Sequence, residues 1–108
     1  MTNWVDRPTQ DLSGKNVTVV GGARSGMAVC RLLAEVKATA FLTDQKEPVD
    51  WTEKKQELSQ LGIEYEIDVH TEKSLEADLI VVSPGVPLDA DILTQAGEKG
   101  IPVVSEVE

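Results

Sequence analysis

Aromatic side chains make up only 4% of the 108 residues. A core built without them has to come from Val, Leu, Ile and Ala, the composition of a parallel sheet covered on both faces by helices. Cysteine occurs once, at Cys30, which excludes an internal disulfide and a cysteine-based metal centre and fits a reducing compartment. Histidine also occurs once. His70 has no Cys or second His near it and reads as a surface-turn residue. Basic residues are scarce, 10 Lys and Arg against 19 Asp and Glu, for a net charge of -9. That balance excludes a general nucleic-acid or anionic-membrane surface, since both need basic patches. No apolar run approaches the length of a membrane span, and the polar opening MTNWVDRPTQDLSGK lacks the apolar stretch of a secretory signal. The expectation is a soluble cytoplasmic protein of one domain, with a 41% hydrophobic share to fill a single core. An anionic ligand would have to be held by local features rather than by overall charge.

What is present is an alternation of strand-like and helix-like segments. Residues 1–15 carry Pro8 and Gly14 without clear periodicity and read as a lead-in to one domain over residues 16–108. NVTVV at 16–20 suits a buried strand, and SGMAVCRLLAEV at 25–36 places Met27, Cys30, Leu33 and Val36 on one helical face. TAFLT at 39–43 predicts a second strand ending at Asp44. A helix over about 52–61 is stopped by Gly62. IEYEI at 63–67 alternates as a half-buried strand, residues 68–77 hold a turn or short helix, and DLIVV at 78–82 is the clearest strand of all. A last helix over about 90–99 ends at Gly100, and IPVV at 101–104 supplies a fifth strand. Five strands separated by helices imply right-handed βαβ crossovers. The predicted fold is α/β: a Rossmann-like open parallel five-stranded sheet of order 3-2-1-4-5, with helices on both faces. Ligands of such sheets sit at the carboxyl ends of the strands, beside the order reversal between strands one and four. Three loops should meet there: GGARSG at 21–26, DQK at 44–46 and SPGVP at 83–87.

The first loop departs from the dinucleotide pattern G-x-G-x-x-G by carrying Gly21, Ala23 and Gly26 at the three fixed places. Gly21 permits the tight turn out of the strand, and Gly26 lets the following helix lie close to the sheet. The methyl group of Ala23 pushes a pyrophosphate slightly outward, which disfavours a dinucleotide lying across the loop. Amides at the start of the helix still form an anion site, with Arg24 as an added cation and Ser25 as a hydroxyl donor. In structural terms alone, Ser25 is an N-cap and Arg24 a solvated side chain. Asp44 closes the second strand about 20 residues after Gly21, where dinucleotide folds place the acid that binds a ribose hydroxyl. Being acceptor-only, a carboxylate there wants a ribose O–H or a ring N–H such as N3 of uracil. The alternative is a solvated turn aspartate before Gln45 and Lys46. In the third loop, Ser83, Pro84 and Gly85 make a stiff turn that presents its backbone, suited to a wall beside a flat base or simply to ending a buried strand.

Elsewhere the readings are structural. Cys30 falls on the apolar helix face and belongs to the core; Trp4 and Trp51 are expected to pack over sheet edges, with partner binding as the alternative; and EKKQE at 53–57 is an exposed helix face supported by charge pairs at helical spacing.

Taken together, GKNVTVVGGARSGMA, TDQ after the second strand, ADLIVVSPGVP and GIPVVSEVE resemble the N-terminal domain of the D-glutamate-adding branch of the Mur ligase family, which builds peptidoglycan for the bacterial cell wall. The resemblance runs from about Leu12 to Glu108, and its specificity lies in SPG followed by GIPV and SE-x-E. Members commonly carry Ala or Gly at the position of Ala23, so the departure from the dinucleotide loop resembles a UDP-sugar loop. The resemblance implies that Arg24 and Ser25 hold a diphosphate through backbone N–H groups, that Asp44, Gln45 and Lys46 surround a uracil, and that Gly85 closes on the base. It implies UDP-N-acetylmuramoyl-L-alanine as ligand, and a central ATPase domain and a C-terminal domain as partners in the parent chain. ATP and Mg2+ are expected in the full-length enzyme and no cofactor in this segment, which contains no G-K-[ST] loop. A truncated domain, catalytically silent alone, is the corresponding expectation. The rival classes are an NAD(H)-binding Rossmann regulatory module, which Ala23 disfavours and Asp44 permits, and an interaction domain that kept the fold without its ligand.

Overall fold

The computed structural model describes residues 2–3, 13–21, 24–68, 71–83 and 91–105. Its elements run β1 (Thr2–Asn3), β2 (Asn16–Val20), α1 (Arg24–Glu35), β3 (Thr39–Asp44), α2 (Trp51–Leu61), β4 (Glu64–Ile67), a 3-10 turn (Glu72–Leu75), β5 (Leu79–Val82), α3 (Asp91–Glu98) and β6 (Val103–Ser105). The strands form one sheet of order β1-β6-β5-β2-β3-β4, parallel at each pairing. The five strands foreseen therefore stand in the order foreseen. A sixth comes from the segment read as a lead-in: Thr2 and Asn3 pair with Val104 and Ser105 at the outer edge.

Strand alternation sorts β2 onto two faces. Val17 and Val19 face α1 and α2 and pack with Met27, Cys30, Leu33, Leu42 and Leu58. Val20 faces the other way, into a second cluster with Leu75, Ile80, Val82, Ile92 and Ala96. The helical face read from Met27, Cys30 and Leu33 is buried, each at 1% exposure or less. Helix α2 stops where Gly62 takes a left-handed conformation (φ 73°) and its N–H reaches the carbonyls of Leu58 and Ser59. Trp51 packs edge-on against Tyr65, ring centroids 5.0 Å apart, so its role is packing, as expected. The charged face of α2 also carries a link to the neighbouring helix. Glu57 reaches out of its own helix to Arg31 of α1, with Nη2 to Oε1 at 2.9 Å, an exposed pair that ties the two helices together and contributes at most about 1 kcal/mol. Trp4 and His70 lie outside the described residues.

Among the described residues, one half of the second face has no long helix. Where βαβ geometry would place one between β4 and β5, the chain makes only the 3-10 turn, opened by Thr71, whose hydroxyl accepts the N–H of Lys73. Polar bonds add to the apolar contact that Leu75 of this turn makes with the second cluster. The hydroxyl of buried Thr18 donates to the Ser74 carbonyl at 2.8 Å, and the Ser74 hydroxyl donates to the Thr71 carbonyl at 2.7 Å.

Burial of Cys30 gives the first prediction. Desolvation pushes its thiol up to about 12 against a smaller opposing pull from Arg31, so the thiol stays neutral and unreactive through the neutral range. The stability from keeping it neutral is complete below the ordinary thiol pKa and is withdrawn as pH climbs toward about 12. A colorimetric thiol titration of the folded chain at pH 8 should find no fast-reacting group, and the same titration in denaturant should find one. A fast thiol in the folded chain would contradict the burial.

Candidate functional site

The register of the sheet decides what stands beside what. Val20 lies opposite Thr43 of β3 and Val82 of β5, so Gly21, Asp44 and Ser83, each one residue further on, come out abreast at the carboxyl rim. Backbone bonds hold that alignment: the Gly21 N–H donates to the Thr43 carbonyl at 2.9 Å and the Ser83 N–H to the Val20 carbonyl at 3.0 Å. The Ser83 side chain, only 4% exposed, donates to the Gly21 carbonyl at 3.2 Å. Gly21 itself has φ 103°, a conformation that only glycine adopts without strain.

Directly over this point sits α1. A Cβ added to Gly26 would lie 1.9 Å from the Gly21 carbonyl oxygen and 3.1 Å from the Ser83 hydroxyl, so the helix approaches the strand end as closely as its backbone allows. The backbone of Arg24 and Ser25 opens that helix. Its first turn contains no acidic residue, whereas α2 and α3 carry Glu53 and Asp91 in theirs. The partial positive charge of the α1 N-terminus is thus uncompensated by its own sequence, in a chain of net charge -9. Ala23, Pro84 and Gly85 lie outside the described residues.

Asp44 ends β3 half-buried. Its Oδ1 accepts the Lys46 N–H at 3.0 Å, a local turn bond that sets the direction of the Asp44–Gln45–Lys46 segment. Gln45 and Lys46 are exposed. The segment separates two hollows. On the α1 and α2 side, a groove of about 670 Å³ is lined by Met27, Arg31, Asp44, Lys46 and Lys54 among others. On the opposite side, a cleft of about 450 Å³ is lined by Gln45, Lys46, Asp68, Thr71, Asp91 and Gln95 among others.

The structure thus gathers Gly21, the backbone of Arg24 and Ser25, Gly26, Asp44 and Ser83 at one rim, with Gln45 and Lys46 beside them. Sequence reading missed the contributions of Asp68, Thr71, Asp91 and Gln95 to the second hollow. The signal was available for Asp68. It follows IEYEI directly, and the carboxyl-end rule applied to that strand as to the others would have pointed to it.

Comparison with known proteins identifies the family. Residues 15–105 match the family described as Mur ligase MurD-like, N-terminal domain. The UDP-N-acetylmuramoylalanine–D-glutamate ligase of Salinibacter ruber is 50% identical over 91 residues, which cover 84% of this chain and 19% of that protein. The enzyme of the same name from Chlorobium limicola is 40% identical over 98 residues, 91% of this chain and 21% of that protein. This chain therefore spans about a fifth of the length of these curated relatives. Among solved structures, a pseudomurein peptide ligase type C from Methanothermus fervidus superposes with a TM-score of 0.70 at 18% identity, covering 85% of this chain and 19% of that one. The D-lactate dehydrogenase of Escherichia coli gives 0.61 at 24% identity, covering 87% and 29%. These structural likenesses establish the Rossmann-like fold alone.

The contact at Gly26 yields a sharp test. Gly26→Ala forces a methyl group into the Gly21 carbonyl, and α1 has to shift; the expected loss is roughly 2–4 kcal/mol, read as a lower urea midpoint at unchanged slope. An alanine variant as stable as the parent would show that α1 does not sit this close to β2.

Proposed function

Because this chain belongs to the family of MurD-like N-terminal domains of Mur ligases, we propose that it docks the nucleotide end of UDP-N-acetylmuramoyl-L-alanine for a D-glutamate-adding ligase of peptidoglycan synthesis. The observation that carries the reading is the α1 N-terminus, free of first-turn acids, seated against Gly21 beside the Asp44–Lys46 segment. In this arrangement the first amides of α1, those of Arg24 and Ser25 included, receive the diphosphate. The carboxylate of Asp44 accepts N3–H of uracil, which selects it over cytosine, whose N3 is an acceptor. Gln45 and Lys46 flank the base, and Ser83 stands on the other side of Gly21 at the same rim.

The contribution to the reaction is binding and orientation remote from the reacting carboxylate. The chemistry that needs ATP and Mg2+ belongs, on this reading, to the central and C-terminal domains of the parent ligase, and the chain alone is catalytically silent. A cytoplasmic location and a part in cell-wall biogenesis, and through it in cell shape and division, go with the proposal. Among the described residues no helix is long and apolar enough to cross a membrane. The NAD(H)-binding alternative is not favoured: the relatives matched over most of this chain are ligases, and the likeness to a dehydrogenase is one of fold.

Calorimetric titration of the chain with UDP, UMP, NADH and inorganic diphosphate tests the reading. UDP should bind and NADH should not. Asp44→Ala should weaken UDP about tenfold, the loss of one hydrogen bond to a charged group, and leave inorganic diphosphate nearly unchanged. Equal losses for both ligands would remove base recognition from Asp44, and binding of NADH in preference to UDP would overturn the assignment.

A further inference from the structure

Among the described residues, three hydrogen-bond donors converge on one carboxylate beside the rim. Glu66 of β4 lies opposite Thr43 in register, on the sheet face turned away from α1 and α2. Its Oε2 accepts the Thr43 hydroxyl at 2.8 Å and the Thr71 N–H at 2.8 Å, while its Oε1 accepts the Thr71 hydroxyl at 2.5 Å. Thr43 is fully buried and immediately precedes Asp44. Thr71 lines the cleft that Gln45 and Lys46 also line. The two strand ends are further joined where the Asp68 N–H donates to the Asp44 carbonyl at 2.9 Å.

We propose that Glu66 is a positioning residue for base recognition: by clasping Thr43 and Thr71 together it fixes the exit of Asp44 from β3 and the width of the cleft beside Gln45 and Lys46. The chemistry favours an acid at this position. A carboxylate is purely an acceptor with room for three or four bonds, whereas an amide offers one acceptor oxygen and places an N–H against donors. The threonine hydroxyls can turn to accept from that amide, so Gln is a partial substitute and Ala is none. The phosphate side stands apart from this clasp. There the Gly21 N–H is held by the Thr43 carbonyl, a ladder bond that does not depend on the Thr43 hydroxyl. The consequence for ligands rests on the nucleotide reading above, and the consequence for the loop does not.

The test uses Thr43→Val, which removes one hydroxyl at nearly constant shape, with Glu66→Ala and Glu66→Gln, each followed by two measurements. Without ligand, amide hydrogen exchange at Asp68 and Lys46 should accelerate about tenfold in Thr43→Val and Glu66→Ala, less in Glu66→Gln, while Val19, Leu42 and Val81 keep their protection. In titrations, UMP should weaken about fivefold, the loss of one ordinary hydrogen bond's worth of positioning, with inorganic diphosphate unchanged and Glu66→Gln intermediate. Exchange that rises uniformly across the sheet would reduce Glu66 to a purely structural role and overturn the proposal. Equal weakening of UMP and diphosphate would overturn it as well. If the unsubstituted chain binds neither UMP nor UDP, the nucleotide reading fails on its own, and the exchange arm still decides whether Glu66 positions the segment.

Discussion

Helix α1 meets β2 with no side chain between them at Gly26, and a single added carbon there would overlap the Gly21 carbonyl oxygen. The depth of that approach sets where the first amides of α1 stand relative to the ends of three strands. Gly21 is fixed from three sides, through its N–H by Thr43, through its carbonyl by the Ser83 hydroxyl, and overhead by the helix. An anion held by the helix start and a base held by the end of β3 can then be parts of one ligand, because the two supports cannot drift apart. A looser crossing would keep the fold and lose the relation between the two.

The two faces of the sheet achieve rigidity by different means. On one, Val17, Val19 and Leu42 are covered by α1 and α2 in dense apolar packing. On the other, beside the apolar cluster that Leu75 joins, the described residues include a one-turn 3-10 segment held by hydroxyls and a carboxylate in a run from Thr18 through Ser74 and Thr71 to Glu66 and Thr43. Directional bonds fix geometry more narrowly than apolar contact does, and each buried partner left unmatched is costly. The polar half of the structure is also the half that borders the hollow beside Gln45 and Lys46, so shape precision is concentrated where a ligand would read it.

Much of the fold was legible because the decisive signals are local. NVTVV, TAFLTD and DLIVV are β-branched or apolar runs of strand length, and Met27, Cys30 and Leu33 recur at helical spacing. The rim residues Gly21, Gly26, Asp44 and Ser83 follow from the same pattern once the strand order is known. What escaped was decided by tertiary partners. Two residues, Thr2 and Asn3, have no periodicity to reveal an edge strand. The 3-10 turn at Glu72–Leu75 falls within the turn or short helix expected over 68–77, but its hydrogen bonds to β2 and β4 leave no mark in the sequence. Glu66 sits in an alternating strand where a half-exposed acid is the ordinary reading, and only the pairing of β4 with β3 brings Thr43 to it. The link from Glu57 to Arg31 of α1 escaped as well, because sequence spacing within α2 cannot supply a partner on another helix. The family likeness, carried by the combination of the glycine loop, SPGVP and GIPVV, was readable for the opposite reason: it depends on residue identity along the chain and not on packing.

The most direct measurement of the central claim is a titration of the isotope-labelled chain with UDP followed by amide chemical shifts. If three strand ends form one nucleotide site, the largest changes should fall together on Gly21, the first turn of α1 from Arg24 to Gly26, Asp44 to Lys46, and Ser83, with Asn16, Thr39 and Asp78 at the opposite end of the sheet unmoved. Shifts confined to that opposite end, or changes at α1 without changes at Asp44, would contradict it.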